Sequence, residues 1–229
     1  MLIGVVGSVD AKEIADLLDK RLGVLSKDAG DIKDIPEFTP SASIGKVIKI
    51  EQDVPQSVVL FGFAGPKRDD ADFYNAYVMN HILGSGGFES RLMQEVREKR
   101  GLAYTIYTSV QTYAKAGVIL GYVATKNQSV DESLSIIRDE MDKIHKTGIT
   151  KNELANASDY LVGSFPLRMT KNANLAAFIT SMQYENLGVD FLEKRNGYIK
   201  GVDVPGAGAV AAKYLDPSKM LVVVVGKSK

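Results

Sequence analysis

The chain has 229 residues, in which 28 Lys and Arg balance 28 Asp and Glu, so its formal net charge is zero. This balance gives no electrostatic reason for binding nucleic acid or a charged membrane surface, and neither is an expected partner. The absence of cysteine excludes disulfides, thiolate zinc sites and cysteine nucleophiles. No apolar stretch of the sequence approaches the length of a membrane span.

The first 25 residues predict a short strand followed by a helix. Residues 2–7 (LIGVVG) are apolar, and Asp10 with Glu13 forms a capping-box pattern at the start of a helix that ends near Gly23. Residues 221–226 (LVVVVG) repeat the pattern of residues 2–7. A tandem duplication, in which each half finishes with the same strand, and chance similarity both explain this repeat.

Residues 26–45 are polar and interrupted by Pro36 and Pro40. Proline removes a backbone donor and fixes φ, so this composition predicts a semi-extended linker. A surface loop within one domain is the alternative interpretation.

From residue 46 onward, the hydrophobic periodicity predicts an α+β fold. A strand over 46–52 and a more buried one over 58–63 precede a helix that starts near residue 70. Two further strands follow, one that ends at residue 110 and one over 117–125. Helices are then predicted over 130–146, 150–165, 172–187, 191–200 and 204–214, before a last strand at 221–226. Capping boxes are expected at Ser129 with Glu132 and at Thr150 with Glu153. This order predicts a largely antiparallel sheet with helices packed on one face.

Residues 73–110 predict a helix, a glycine hinge, a short charged helix and a strand. Arg97 falls in the last turn of the short helix, and Tyr104 follows seven residues later in the strand. A guanidinium and a phenol on two rigid elements can converge and donate hydrogen bonds to a peptide carbonyl or a developing oxyanion. From spacing alone, an ordinary surface arginine and a half-buried strand tyrosine remain the alternative.

Residues 90–107 (SRLMQEVREKRGLAYTIY) resemble the signature of the non-zinc half of the M16 zinc peptidases. Residues 77–88 (YVMNHILGSGGF) and 53–59 (DVPQSVV) match the same family, which includes pitrilysin, insulinase and mitochondrial processing peptidase. The resemblance places Arg97 and Tyr104 on the arginine–tyrosine pair of this family. In the family, that pair reaches across a closed chamber to the substrate at the zinc of the opposite half.

The resemblance also implies a domain arrangement and a partner. Residues 1–25 would be the closing piece of a preceding zinc-bearing half, residues 26–45 a linker, and residues 46–229 the M16-like C-terminal domain. The zinc-bearing half would be fused upstream or be a separate subunit, and Met1 would then be an artificial or internal start. With the start in doubt, the sequence does not distinguish a cytoplasmic from a periplasmic location.

The implied function is that of the substrate-binding, non-zinc half of an M16-type zinc metalloendopeptidase, which hydrolyses peptides. Arg97 and Tyr104 would be catalytic and would bind the peptide. Gly84, Gly86 and Gly87 occupy the place of a glycine-rich substrate loop and are expected to contribute to peptide binding. The chain is not expected to be active alone.

The family's His-x-x-Glu-His zinc motif is absent, and the two histidines, His81 and His145, are too far apart for a zinc motif. We therefore expect no cofactor on this chain and zinc in the partner half. His81 is expected to be a packed structural residue, since a nucleophile pair with Ser85 lacks a third orienting group. His145 is expected to complement a helix dipole.

Two other functions stay open. The chain could be a catalytically silent scaffold, like the M16-related core subunits of the respiratory bc1 complex, or a self-sufficient hydrolase. Arg91 and Lys99 are additional candidates for contacts with an acidic substrate, although the charged run around them is typical of a solvated helix face.

Overall fold

The structure is a computed structural model, and it describes residues 1–28, 30–31, 33–36 and 44–227. It divides into two compact units, Met1–Pro36 with Gly163–Lys194 and Glu37–Val162 with Arg195–Lys229. The predicted linker covers 26–45, of which residues 29, 32 and 37–43 lie outside the described residues; the described remainder forms neither helix nor strand.

The larger unit is built on a five-stranded sheet in the order β1-β5-β2-β4-β3. Its strands are β1 (Val47–Glu51), β2 (Gln56–Gly65), β3 (Ala103–Tyr113), β4 (Ala116–Lys126) and β5 (Leu221–Gly226). β1 runs parallel to β5, whereas the other three neighbouring pairs are antiparallel. The predicted α+β fold with a largely antiparallel sheet is confirmed.

One face of this sheet is buried because alternate residues of β2, β4 and β5 point towards the core. Phe61, Ile119 and Val222 are fully buried representatives of the three strands. They pack in the same hydrophobic cluster as side chains of α2 (Phe73–Asn80), α3 (Val130–Thr147) and α7 (Val204–Tyr214). Burying each large apolar side chain stabilises the fold by about 1.5 to 3 kcal/mol.

Two of the predicted capping boxes lie at the starts of helices in this unit. Thr150 and Glu153 exchange backbone-to-side-chain hydrogen bonds of 2.8 and 3.2 Å at the start of α4 (Lys151–Gly163), as predicted. The box at Ser129 is wrong, because this side chain makes no capping bond. Ser129 closes the 3₁₀ turn Asn127–Ser129 with φ −102° and ψ 3°, rather than the extended backbone that aims a capping oxygen into the helix.

The smaller unit contains α1 (Ala11–Leu22), α5 (Asn172–Tyr184) and the beginning of α6 (Phe191–Lys200). The predicted box at α1 is present, with Glu13 N donating to Asp10 Oδ1 at 2.8 Å and Asp10 N donating to Glu13 Oε2 at 3.1 Å. The strand predicted over residues 2–7 is not formed, since no described strand pairs with them. An apolar run becomes a strand only where a neighbouring strand supplies its hydrogen bonds.

Candidate functional site

Tyr104 is the extra residue of a β-bulge at the start of β3. Ala103 pairs with Thr125 and Thr105 pairs with Ala124, so three residues of β3 face two of β4. A bulge bends the strand and re-aims the side chain of the inserted residue. Tyr104 is 79% exposed at this bulge, so its phenol is accessible to solvent.

Arg97 lies in the π-helical segment Met93–Glu98, whose hydrogen bonds close wider turns than those of an α-helix. π-Helical turns are rare and occur frequently at functional sites. Gly101 follows at φ +61°, in the left-handed region that glycine adopts without steric cost. This turn carries the chain into β3 and returns Tyr104 to the side of Arg97.

The guanidinium of Arg97 lies over two aromatic rings. Its central carbon is 4.5 Å from the ring centroid of Tyr104 and 4.6 Å from that of Phe88. Its Nε is 3.5 Å from Glu98 Oε1, a loose ion pair, and the Arg97 side chain is 25% exposed. The structure pairs Arg97 with no other described acidic residue, so its terminal N–H groups can donate to a ligand.

Phe88 is the member of this cluster that sequence reasoning missed. Phe88 is 54% exposed, and it follows the glycine run directly. A large aromatic side chain in an exposed glycine loop is the signal that could have identified it, because loops of this kind carry binding residues.

The three predicted glycines meet two kinds of constraint, steric crowding and a left-handed backbone. Gly84 is buried against β3, and a Cβ there would lie 2.8 Å from Thr108 N. A Cβ on Gly86 would lie 2.8 Å from the carbonyl oxygen of His81, whereas Gly87 has φ +61°. These glycines together shape the loop that presents Phe88, with Gly84 in the interior and Gly87 exposed.

A cleft of about 410 Å³ opens between this loop and α4. The ring of His81 is buried at its edge and stacks on Tyr160, with centroids 5.1 Å apart and planes 22° apart. His81 is thus packed, as expected of a structural histidine. Glu89 and Glu153 also line the cleft.

Arg91 forms an ion pair that braces the loop against α4. Its Nε and Nη2 donate to the two carboxylate oxygens of Glu153 at 2.6 and 2.8 Å, and Nη2 also donates to Gly148 O at 3.2 Å. Burial alone would raise the pKa of Glu153, but hydrogen bonds from Arg91 and Thr150 outweigh it and lower this pKa to about 2. Arg91 is therefore engaged within the chain rather than presented to a substrate.

Lys99, the other candidate for an acidic substrate, is also paired within the chain. Its Nζ donates to Glu95 Oε1 at 2.5 Å, and Arg100 Nη1 donates to Glu95 Oε2 at 2.6 Å. Both hydrogen bonds lower the pKa of Glu95, and the one from Lys99 has the larger effect.

The described residues contain no group of three or more His, Asp and Glu side chains that could hold a metal ion. His81 stacks on Tyr160, and His145 Nδ1 lies 3.4 Å from Ala211 O, so the two histidines face different neighbours. Among the described residues, neither histidine is placed to form part of a zinc site. Among the same described residues, no helix combines the length and apolar character that crossing a membrane requires.

A family model described as the peptidase M16 inactive domain matches residues 1–161. An uncharacterized zinc protease of Streptomyces coelicolor is 30% identical over 216 residues, which cover 89% of this chain and 46% of that protein. The non-peptidase homolog YmxG of Helicobacter pylori is 35% identical over 118 residues, covering 51% of this chain and 27% of that protein. The chain spans about half the length of the curated relatives it matches, or less.

The fold also matches a solved structure. The crystal structure of a peptidase M16 inactive domain from Pseudomonas fluorescens superposes with a TM-score of 0.81 at 26% sequence identity. The match covers 96% of this chain and 52% of that one.

Proposed function

The chain belongs to the M16 peptidase inactive-domain family, and from this premise we propose that it is the substrate-binding, non-zinc half of an M16-type zinc metalloendopeptidase. The observation that carries the proposal is the meeting of the Arg97 guanidinium with the Tyr104 phenol ring at 4.5 Å, on an exposed edge of the larger unit. In this proposal, the non-zinc half contributes to the reaction through the hydrogen-bond donors of this pair.

Each side chain of the pair has its own part in binding a peptide. Arg97 holds the peptide through a carbonyl or its terminal carboxylate, since a planar guanidinium with terminal N–H groups suits both acceptors. The hydroxyl of Tyr104 donates a hydrogen bond to the oxyanion that develops when the peptide carbonyl is attacked. Zinc in the partner half would supply the activated water for that attack.

The loop that contains Gly84, Gly86 and Gly87 closes the peptide site in this proposal. Gly87 leaves the backbone open to a ligand, whereas Gly84 lets the loop pack on β3. A peptide approaching Arg97 also meets Phe88, which the same loop presents.

The proposed partner is a second, zinc-bearing M16 half, fused upstream or separate. Residues 1–25 would close that half, residues 26–45 would link the two, and residues 46–229 would form the non-zinc half. The exposed apolar side chains of Leu2, Ile3 and Val5 support this assignment, because clustered exposed apolar residues mark interaction surfaces.

A catalytically silent scaffold is the second candidate function. It is favoured by one observation, the name of the Helicobacter pylori relative, which is a non-peptidase homolog. The peptidase proposal has in its favour that Arg97 and Tyr104 are both present and in contact.

The test is hydrolysis of a quenched fluorescent peptide library by three samples: this chain, the zinc-bearing half, and the two together. We expect turnover only when both halves are present, and its loss when a chelator is added. Turnover by the zinc-bearing half that does not increase with this chain would support the scaffold. Hydrolysis by this chain alone, unchanged by the chelator, would establish a self-sufficient hydrolase and overturn the proposal.

A further inference from the structure

We propose that Phe88 is a positioning residue, which holds the guanidinium of Arg97 in the orientation that receives the peptide. This role rests on the function proposed for Arg97. Phe88 itself need not contact the reacting atoms.

The contact between Phe88 and Arg97 is a cation–π interaction on an exposed surface. The guanidinium carbon lies 4.6 Å from the Phe88 centroid, nearly the same distance as from Tyr104. The loop thereby supplies a second aromatic ring to a cation that β3 already contacts. A contact of this kind is worth about 2- to 5-fold in an equilibrium constant at an exposed site.

Phe88 is itself fixed to the segment that carries Arg97. The side chain of Gln94 donates its Nε2 hydrogen to Phe88 O at 2.6 Å, and Gln94 belongs to the same π-helical segment as Arg97. Ser90 closes the loop from the other side, because its Oγ donates to Gly87 O at 2.7 Å. The ring and the guanidinium are therefore held by one locally bonded unit.

The contact matters because an arginine side chain has many rotamers. If the side chain is mobile before the peptide arrives, fixing it costs conformational entropy, and the affinity for the peptide falls. Two rings and the carboxylate of Glu98 restrict the guanidinium of Arg97. Without Phe88, one ring and one loose ion pair remain. The expected consequence is a weaker, less specific hold on the peptide.

The first test observes Arg97 directly by NMR. The Nε–H resonance of Arg97, assigned by its disappearance in Arg97→Lys, should be shifted upfield by the two rings. Phe88→Leu should remove the contribution of one ring and move the resonance downfield, whereas Phe88→Trp should retain it. Tyr113→Leu is the matched control, since Tyr113 is 55% exposed at the opposite end of β3, and it should leave the resonance unchanged.

The second test is a double-mutant cycle in the peptidase assembled with its zinc-bearing half. Phe88→Leu should lower kcat/KM by about 2- to 5-fold, the value of one exposed cation–π contact, and Phe88→Trp should restore it. In an Arg97→Met background, Phe88→Leu should cause no further loss, because its effect acts through the guanidinium.

An unshifted Arg97 resonance in Phe88→Leu, or losses that add in the double variant, would overturn the positioning role. A shifted resonance with coupled losses supports it. Failure of the proposed function would give a different result: the turnover of Arg97→Met would be unchanged, and the rest of its NMR spectrum would stay intact.

Discussion

The guanidinium of Arg97 stands over the ring of Tyr104, although one residue belongs to a π-helical segment and the other to a strand. The left-handed turn at Gly101 reverses the chain between them, and the bulge at the start of β3 turns the tyrosine out of the sheet. The turn is local, whereas the bulge also depends on the pairing of β3 with Ala124 and Thr125 of β4. Both side chains are accessible to solvent, so substitutions can remove either donor without disturbing the core.

Replacing Arg97 with methionine should weaken peptide binding strongly. The substitution removes all N–H donors but keeps a flexible apolar stem that can still pack near Phe88. A hydrogen bond to a charged donor is worth about 1.5 to 3 kcal/mol, so kcat/KM of the assembled enzyme should fall roughly 10- to 100-fold. Steady-state kinetics on one fluorogenic peptide would measure this.

The matched control for Arg97 is Arg100→Lys, since Arg100 is a neighbouring arginine whose guanidinium is paired with Glu95. The control should keep kcat/KM within 2-fold or so, in line with the small value of exposed ion pairs. An equal loss in both variants would point to a general electrostatic effect and count against a specific role for Arg97.

Gly84→Ala should lower the stability of the fold, because Gly84 is buried against β3. The new Cβ would lie 2.8 Å from Thr108 N, closer than packed atoms approach, so the loop or β3 must shift. Overpacking of this kind costs about 1 to 3 kcal/mol. Chemical denaturation should show this loss in the free energy of unfolding.

Gly197→Ala provides the comparison, because Gly197 lies in α6 and, outside its own stretch of helix, no described atom is within 4 Å of its added Cβ. Alanine is the better helix former, so this variant should be unchanged or more stable by up to about 1 kcal/mol. If Gly84→Ala were as stable as Gly197→Ala, the close packing of the loop on β3 would be refuted.

The pair formed by Arg91 and Glu153 should make stability depend on acidic pH. The pKa of Glu153 is lowered to about 2 in the folded chain, from its ordinary value of 4.5. A lowered folded-state pKa stabilises the fold above the unfolded value, and this stabilisation is lost as pH falls from 4.5 towards 2. Allowing for partial exposure, the contribution at neutral pH is roughly 1 to 3 kcal/mol.

Denaturation at pH 7 and at pH 3 would measure that contribution. Glu153→Gln should lower stability at pH 7 and reduce the difference between the two pH values, whereas Glu132→Gln, at an exposed glutamate in the first turn of α3, should reproduce the wild-type difference. A Glu153→Gln curve parallel to that of the wild type would contradict the assignment.

The sequence alone identified the elements whose structure is decided by neighbouring residues. The mostly apolar run over residues 117–125 identified β4, and the capping residues Asp10 and Thr150 placed the starts of α1 and α4 correctly. The heptad-like stripe from Val130 to Ile144 identified α3. These features depend on hydrogen bonds and burial within a few residues of one another.

The sequence was insufficient where a distant segment or an unusual backbone conformation decides the structure. Residues 2–7 have the composition of a strand but lack a paired neighbour among the described residues. The backbone at Ser129 enters α3 from a 3₁₀ turn, which its residue type does not reveal. Neither the bulge at Tyr104 nor the proximity of Phe88 to Arg97 follows from periodicity, because each depends on how the loop and strand meet.

The most direct measurement is the turnover number and zinc content of the assembled enzyme carrying Tyr104→Phe. Phenylalanine keeps the ring that contacts Arg97 and removes only the hydroxyl, and Tyr113→Phe serves as the control for a lost surface hydroxyl. Loss of one oxyanion donor costs on the order of 10²- to 10³-fold in rate, so kcat should fall by that factor while bound zinc stays constant. An unchanged kcat at full zinc content would contradict the claim that this chain supplies a donor to the reaction.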